Sequence, residues 1–189
     1  MAFESESGLL FFSSQEAALI DAIAARIIPG NDEDPGAREA LVYRYIDRAV
    51  SGPYRPYQTF YRRGLAAFEA FCAASAGKSF SDLSDGARDR VLRAVESGEA
   101  AQFDTPSASE FFTALRGHVI EGMFGDPAYG GNANCAGWRL IGYPGTQYEY
   151  TAEEMQPGAD LTRKPIMTLS DLQRTIRERG PRGFGGAEW

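Results

Sequence analysis

The chain has 189 residues, 43% of them hydrophobic and 24% charged, which fits one folded domain with a sizeable core. Its net charge of -7, without a concentrated basic stripe, argues against nucleic acid as a partner. One histidine, two cysteines outside any CxxC pair and no run of eighteen apolar residues argue against a multi-histidine metal centre, a zinc ribbon and a membrane-spanning helix.

The first two predicted helices are delimited by capping and breaking residues. Ser13 and Glu16 have the spacing of a capping box, which starts the first helix, and Pro29 ends it. The second helix is predicted to begin near Pro35, a residue suited to a first turn, and to end at Gly52. Apolar residues recur at helical spacing through both segments.

Three further helices complete the predicted bundle. Apolar stripes indicate a third helix over about 56–74 and a fourth over about 84–97. A second capping box, Ser107 with Glu110, starts a fifth helix that ends near Gly122. Five amphipathic helices with short connections and no alternating strand pattern predict an all-α protein, a compact bundle of about five helices.

Residues 122–145, GMFGDPAYGGNANCAGWRLIGYPG, form what we call the glycine-aromatic loop. Its seven glycines exclude a long helix and let the backbone approach another surface closely. Its aromatic residues suit burial at an interface; they are Phe124, Tyr129, Trp138 and Tyr143. We interpret it as a binding loop. The plainer alternative is a loop packed on the bundle's own core. The two interpretations are compatible if Trp138 points inward and Tyr129 points outward.

The chain changes character after the loop. Residues 146–189 have little apolar periodicity apart from a short helix predicted near 170–178. We therefore predict a helical domain over 1–145 and an extended, partner-wrapping tail over 146–189. Scattered anchors mark this tail: Tyr148, Tyr150, Met167, Leu169, Phe184 and Trp189. The alternative is a tail packed back onto its own bundle.

No sequence pattern typical of a catalytic or cofactor site is present. GxSxG, P-loop and GxGxxG motifs are all missing. His118 falls on the fifth helix, where we expect it at the edge of the core and bonded to a neighbour. We predict no catalytic, cofactor-binding or metal residue in this chain; the alternative is an enzyme that uses His118 with a nearby carboxylate.

Two blocks of the sequence resemble the gluconate 2-dehydrogenase subunit 3 family. The first is FFSSQEAALIDAIAARIIPGNDEDPGA, a helix that ends in an IIP element before a turn. The second, FFTALRGHVIEGMFGDPAYGGNANCAGWRLIGYPG, is more specific, with its DP-x-YGGN and GW-x-x-IG-x-PG patterns. The resemblance covers roughly residues 11–145.

The resemblance implies a non-catalytic small subunit, also called gamma. Such a subunit stabilises, matures and docks an FAD-containing catalytic subunit of the glucose-methanol-choline type. The complex would oxidise a sugar, a sugar acid or a glycoside, including glycosides at the 3-position. FAD would lie in the catalytic partner, and a c-type cytochrome carrying haem is a further implied partner. The alternative function is a stand-alone helical chaperone or binding protein that releases its client.

The resemblance and the N-terminus disagree about the compartment. Family members commonly begin with a twin-arginine signal, whereas this chain begins MAFESESGLLFFSSQEA, without a basic region. On the sequence as given we expect a cytoplasmic protein. A periplasmic complex is the alternative, if the partner carries the signal or the sequence is trimmed.

Within the complex, the aromatic and loop residues are the predicted partner contacts. They are Phe124, Tyr129, Asn132, Trp138, Tyr143, Tyr148, Tyr150 and Phe184.

Overall fold

A computed structural model describes residues 8–179, and this part of the chain contains seven α-helices and no β-strand. The all-α fold and the helical bundle are confirmed, although the predicted count of about five helices is two too low. None of the helices in this range is long and apolar enough to cross a membrane. The helices are α1 (Ser14–Ile27), α2 (Val42–Ser51), α3 (Gln58–Ala76), α4 (Asp85–Glu96), α5 (Ala108–Phe124), α6 (Ala136–Ile141) and α7 (Leu169–Arg179).

Both predicted capping boxes are confirmed. At the start of α1 the backbone N–H of Glu16 donates to Ser13 Oγ, and Glu16 Oε2 accepts from the backbone N–H of Ser13 at 2.9 Å. Ser107 and Glu110 repeat this arrangement at the start of α5, also with a return bond of 2.9 Å. Each box satisfies backbone N–H groups that the first helical turn leaves free.

The predicted start of α2 near Pro35 is wrong, because the helix begins only at Val42. Leu41 adopts a left-handed conformation with φ of 53°, which cannot continue a right-handed helix. The turns before it are held by the end of α1 instead, since Ala37 N donates to Ile28 O at 2.9 Å. The residues before Val42 therefore bond to the end of α1 and do not add a turn to α2.

Helix α5 lies at the centre of the bundle and packs against α1, α2, α3, α4 and α6. Glycine allows two of these approaches. A β-carbon at Gly64 of α3 would collide with the Phe111 ring of α5. One at Gly122 of α5 would lie 3.0 Å from Val42 Cγ1 on α2. Helices α2 and α3 therefore rest directly on α5, and the apolar faces of all three are buried.

The segment before α1 is tied to the bundle by a buried carboxylate. Asp47 of α2 is 1% exposed and accepts three backbone N–H bonds, from Leu10 at 2.6 Å and from Phe11 and Phe12 at 2.9 Å each. The Arg62 guanidinium of α3 donates to Phe11 O at 3.0 Å and covers the Phe11 ring. These contacts hold the segment before α1 against α2 and α3.

Beyond the glycine-aromatic loop the chain returns to pair with it. Thr146 N donates to Met167 O at 2.7 Å, and Met167 N donates to Pro144 O at 2.9 Å. The short helix predicted near 170–178 is confirmed as α7. Ordering of the tail by a partner stays a prediction, and two of its predicted anchors, Phe184 and Trp189, lie outside the described residues.

Replacing Asp47 by asparagine should lower the free energy of unfolding by about 1–3 kcal/mol. The side-chain NH2 of asparagine would face a backbone N–H, so at least one buried donor would lose its acceptor. Urea unfolding followed by circular dichroism measures the change. Asp104→Asn, at an exposed carboxylate, is the control and should leave stability unchanged. Equal stability of the two variants would contradict the role given to Asp47.

Candidate functional site

The glycine-aromatic loop folds as a series of tight turns followed by a short helix. It leaves the last turn of α5, passes through two 3-10 turns at Pro127–Tyr129 and Ala133–Cys135, and enters α6. The six-residue α6 was not predicted. Non-glycine residues Asn132, Asn134 and Cys135 have positive φ values of 45°, 55° and 55°. Left-handed backbone of this kind turns the chain sharply and is most tolerable at asparagine.

Asn132 holds the loop closed from within. Its side chain is fully buried, with Nδ2 donating to Gly125 O at 2.8 Å and Oδ1 accepting from Gly137 N at 2.8 Å. Its own backbone N–H donates to Gly122 O at 2.7 Å. One residue therefore joins the end of α5 to the first turn of α6. An asparagine suits this position because its amide donates from Nδ2 and accepts at Oδ1, so one side chain satisfies two separate backbone groups.

Two glycines allow the backbone to close around Asn132. A β-carbon at Gly131 would collide with the carbonyl oxygen of Gly122, and one at Gly137 would collide with that of Met123. Any larger residue would push the loop away from α5. The sequence signal for this closure is the position of the glycines in YGGN and GW. The carbonyl oxygens that they approach can be identified only from the structure.

The four predicted loop aromatics divide into an inner and an outer pair. Trp138 is 3% exposed, and its indole N–H donates to Phe124 O at 2.7 Å. Phe124 itself is half-buried against the core. Tyr143 packs edge-on against Trp138 at 5.3 Å between ring centroids yet stays largely exposed, and Tyr129 is 56% exposed. Trp138 thus points inward and Tyr129 outward, the arrangement in which a loop packed on its own core can also contact a partner.

Two exposed aliphatic residues extend the outer surface of the loop. Leu140 and Ile141 follow Trp138 on α6, and Ile141 is 59% exposed. With Tyr143 they give the end of α6 an apolar face toward solvent. Adjacent exposed apolar residues of this kind are typical of protein interaction sites. Neither residue was predicted as a contact, and their sequence signal is an aliphatic pair that follows Trp138 and Arg139 on a very short helix.

The loop also positions the start of α7. Asp126 Oδ1 accepts from Ala128 N at 2.9 Å, and Asp126 Oδ2 accepts from Leu169 N at 2.7 Å. Leu169 is the first residue of α7, so this carboxylate also lies where the positive end of the helix dipole favours it. Asp126 therefore links the loop to the described part of the tail.

The predicted tail tyrosines lie beyond this link, each beside a cation. The Arg179 guanidinium lies 6.0 Å from the ring centre of Tyr148. Lys164 Nζ lies 5.0 Å from the ring centre of Tyr150 and bonds the Glu154 carboxylate at 2.6 Å. Tyr150 is exposed. The last predicted contact, Phe184, falls outside the described residues. Of the eight predicted partner contacts, the structure therefore brings together those of the loop but not the whole set.

His118 lies among tyrosines inside the bundle. Its Nδ1 is 2.7 Å from the hydroxyl of Tyr61, the tautomer deciding which donates. The Tyr54 ring stacks on it at 4.7 Å, and Tyr57 packs against it edge-on at 5.3 Å. Burial lowers the pKa of His118, partly offset by the Glu121 carboxylate. The histidine is therefore at the edge of the core and bonded to a neighbour, as predicted.

No cluster of three or more metal-ligating side chains occurs within residues 8–179.

Residues 14–145 match the model of a family described as gluconate 2-dehydrogenase subunit 3. The chain belongs to this family. The match begins with α1 and ends with the last residue of the glycine-aromatic loop, so the family's sequence pattern includes both the bundle and the closed loop. No curated protein and no solved structure matches the chain. As a subunit family, it implies a partner catalytic subunit in a dehydrogenase complex.

Asn132→Ala should destabilise the subunit by about 1–3 kcal/mol for each of the two backbone groups left without a partner. Asn134→Ala is a matched control, because Asn134 has the same left-handed backbone but is exposed and makes no comparable buried contacts. Thermal unfolding of both variants separates lost hydrogen bonds from backbone strain. A similar melting temperature for the two would argue against Asn132 as the closing residue.

His118→Gln should reduce the loss of stability on acidification. Burial depresses the folded-state pKa of His118, so the unfolded chain binds a proton more readily. That contribution is therefore fully present above the unfolded pKa, near 6.5, and is lost as the pH falls below it. Urea unfolding at pH 7.5 and pH 5.5 should show a smaller drop for the variant than for the native chain. Identical drops would show that the histidine is not protonated on unfolding.

Proposed function

We propose that this chain is the non-catalytic subunit that docks and stabilises the FAD-containing, glucose-methanol-choline-type subunit of a dehydrogenase. The substrate class we propose is a sugar, a sugar acid or a glycoside. The observation that carries the docking role is the closed loop, which is fixed internally by Asn132 and presents Ile141 and Tyr143 to solvent. Membership of a dehydrogenase subunit family supports the same role.

The rigidity of the loop suits a docking surface. The bonds of Asn132 and Trp138 fix the backbone before any partner arrives. Binding then costs little conformational entropy, because the exposed side chains already lie on a fixed frame. Aromatic and aliphatic residues on such a frame are the usual anchors of a protein interface.

The surroundings of His118 support a non-catalytic role. Its ring is covered by Tyr54 and Tyr57, and Tyr61 bonds Nδ1. The nearby carboxylate of Glu121 is bonded by two tyrosine hydroxyls, at 2.8 Å from Tyr45 and 3.3 Å from Tyr54. The His118 ring is thus enclosed within the bundle, whereas Glu121 is exposed and is bonded by the tyrosines at its edge. Access for a substrate would require the tyrosines to move.

We propose that FAD, and haem where a c-type cytochrome takes part, are held by the partner chains. Dinucleotide cofactors commonly bind at a glycine-rich turn between a strand and a helix. The described residues, 8–179, contain no strand on which such a turn is built. The residues of this chain then act on the cofactor only by stabilising the subunit that holds it.

The test is co-expression of this chain with the glucose-methanol-choline-type flavoprotein of the same organism. The two should co-elute in gel filtration, with flavin absorbance in the complex and none in the isolated chain. Ile141→Asp should lower recovery of the complex about tenfold while the isolated chain keeps its melting temperature. Ile120→Asp, at a 46% exposed aliphatic residue of α5 outside the exposed face of α6, is the control and should leave recovery unchanged.

Two results would overturn the proposal. If the flavoprotein folds, loads FAD and elutes alone after transient contact, the chain is a chaperone that releases its client. If the isolated chain binds stoichiometric FAD, or if His118→Ala abolishes turnover of an intact complex, the non-catalytic role is wrong.

A further inference from the structure

A groove separates α2 from the glycine-aromatic loop. It has a volume of about 390 Å³ and opens to solvent. Its walls are mostly apolar, with one cationic side chain. The lining residues are Tyr45, Arg48, Ala49, Pro53, Tyr54, Ala128 and Tyr129. We call it the α2 groove.

Close packing of the loop on α2 builds this groove. Gly130 has φ of 104°, and a β-carbon there would lie 2.6 Å from Arg48 Cδ. The loop therefore crosses α2 directly beside the Arg48 stem. Arg48 Nη1 also lies 3.5 Å from Ala128 O, which is a long hydrogen bond. This contact keeps the guanidinium beside the groove without neutralising its charge.

The tyrosines that line the groove contribute mainly their aromatic rings to its walls. The hydroxyls of Tyr45 and Tyr54 both donate to Glu121, which does not line the groove. Their polar ends are therefore satisfied within the chain. Tyr129, on the opposite wall, is 56% exposed. Flat rings and Pro53 favour an occupant with an aromatic or proline side chain.

The positive charge beside the groove has no acidic partner among the described residues. Arg48 and Arg44 are exposed and one turn apart on α2. Seven ion pairs join charged side chains in residues 8–179, and neither arginine belongs to one. Arg44 donates instead to the hydroxyl of Tyr43 at 3.1 Å. In a chain of net charge -7, two arginines without carboxylate partners make a local positive patch.

We propose that the α2 groove receives a segment of the catalytic subunit that carries a carboxylate beside an aromatic or proline side chain. The carboxylate pairs with Arg48, with Arg44 adding to the attraction, and the apolar side chain packs between Tyr45 and Tyr129. Charge complementarity favours this occupant, because the negative charge of the rest of the chain repels an acidic segment elsewhere. The inference rests on the proposed function, since it names the chemistry of the docked partner.

The test measures binding of the purified chain to the purified, FAD-loaded catalytic subunit. Arg48→Glu should weaken binding at least tenfold at 50 mM salt, and Arg48→Lys should weaken it less, because lysine keeps the charge but loses the bidentate geometry. The difference in dissociation constant between the Arg48→Glu variant and the native chain should be smaller at 500 mM salt, because salt screens the charges. Arg90→Glu, at an exposed arginine of α4, is the matched control and should bind as the native chain does.

Tyr129→Ala tests the apolar half of the groove separately. It should weaken binding about tenfold at both salt concentrations, since it removes ring contact and no charge. Circular dichroism of each variant checks that the bundle is intact. The two kinds of variant together distinguish a carboxylate with an apolar neighbour from a purely ionic contact.

Each contrary result has a distinct meaning. If the native chain does not bind the catalytic subunit at all, the proposed function fails. If the native chain binds and Arg48→Glu binds as tightly as Arg90→Glu, the complex exists but the groove is not its acidic contact. If Arg48→Glu instead dissociates a dimer of this chain, a second copy occupies the groove and the inference is overturned.

Discussion

The outward surface of this subunit depends on the closure of the glycine-aromatic loop by Asn132. That side chain is fully buried and satisfies Gly125 O and Gly137 N at once, which fixes the direction in which α6 leaves α5. A buried amide with one lost partner is costly, so the closed form is strongly preferred over an open one. Gly131 and Gly137 make the closure sterically feasible.

Several separate features follow from that closure. With α6 fixed, Trp138 reaches Phe124 O and turns the following aliphatic residues outward. With the preceding turn fixed, Asp126 accepts from Leu169 N and sets where α7 begins. Predicted contact residues therefore have different physical roles. Asn132 and Trp138 support the surface from inside, whereas Tyr129 and Tyr143 form part of it.

Local signals in the sequence predicted the bundle better than the loop. Capping boxes act over three residues, so Ser13 and Ser107 mark helix starts without knowledge of the fold. The start of α2 depends on a bond between Ala37 and Ile28, and α6 depends on left-handed residues before it, so helical periodicity located neither. The α2 groove joins residues some eighty positions apart, and their proximity cannot be predicted from spacing alone. The tail likewise pairs with the loop through backbone contacts that leave no apolar pattern.

The distribution of satisfied and unsatisfied groups separates the interior of the bundle from its surface. Inside, the His118 ring bonds the Tyr61 hydroxyl, and at the edge of the bundle the exposed Glu121 carboxylate accepts from two tyrosine hydroxyls. On the surface, Arg48 has no carboxylate partner among the described residues, and Ile141 is 59% exposed. A charge and an aliphatic side chain left in this state cost little in water but gain when a complementary surface covers them. Because Arg48 lies on α2 and Ile141 on α6, both already helical, most of that gain is available for affinity rather than for ordering the chain.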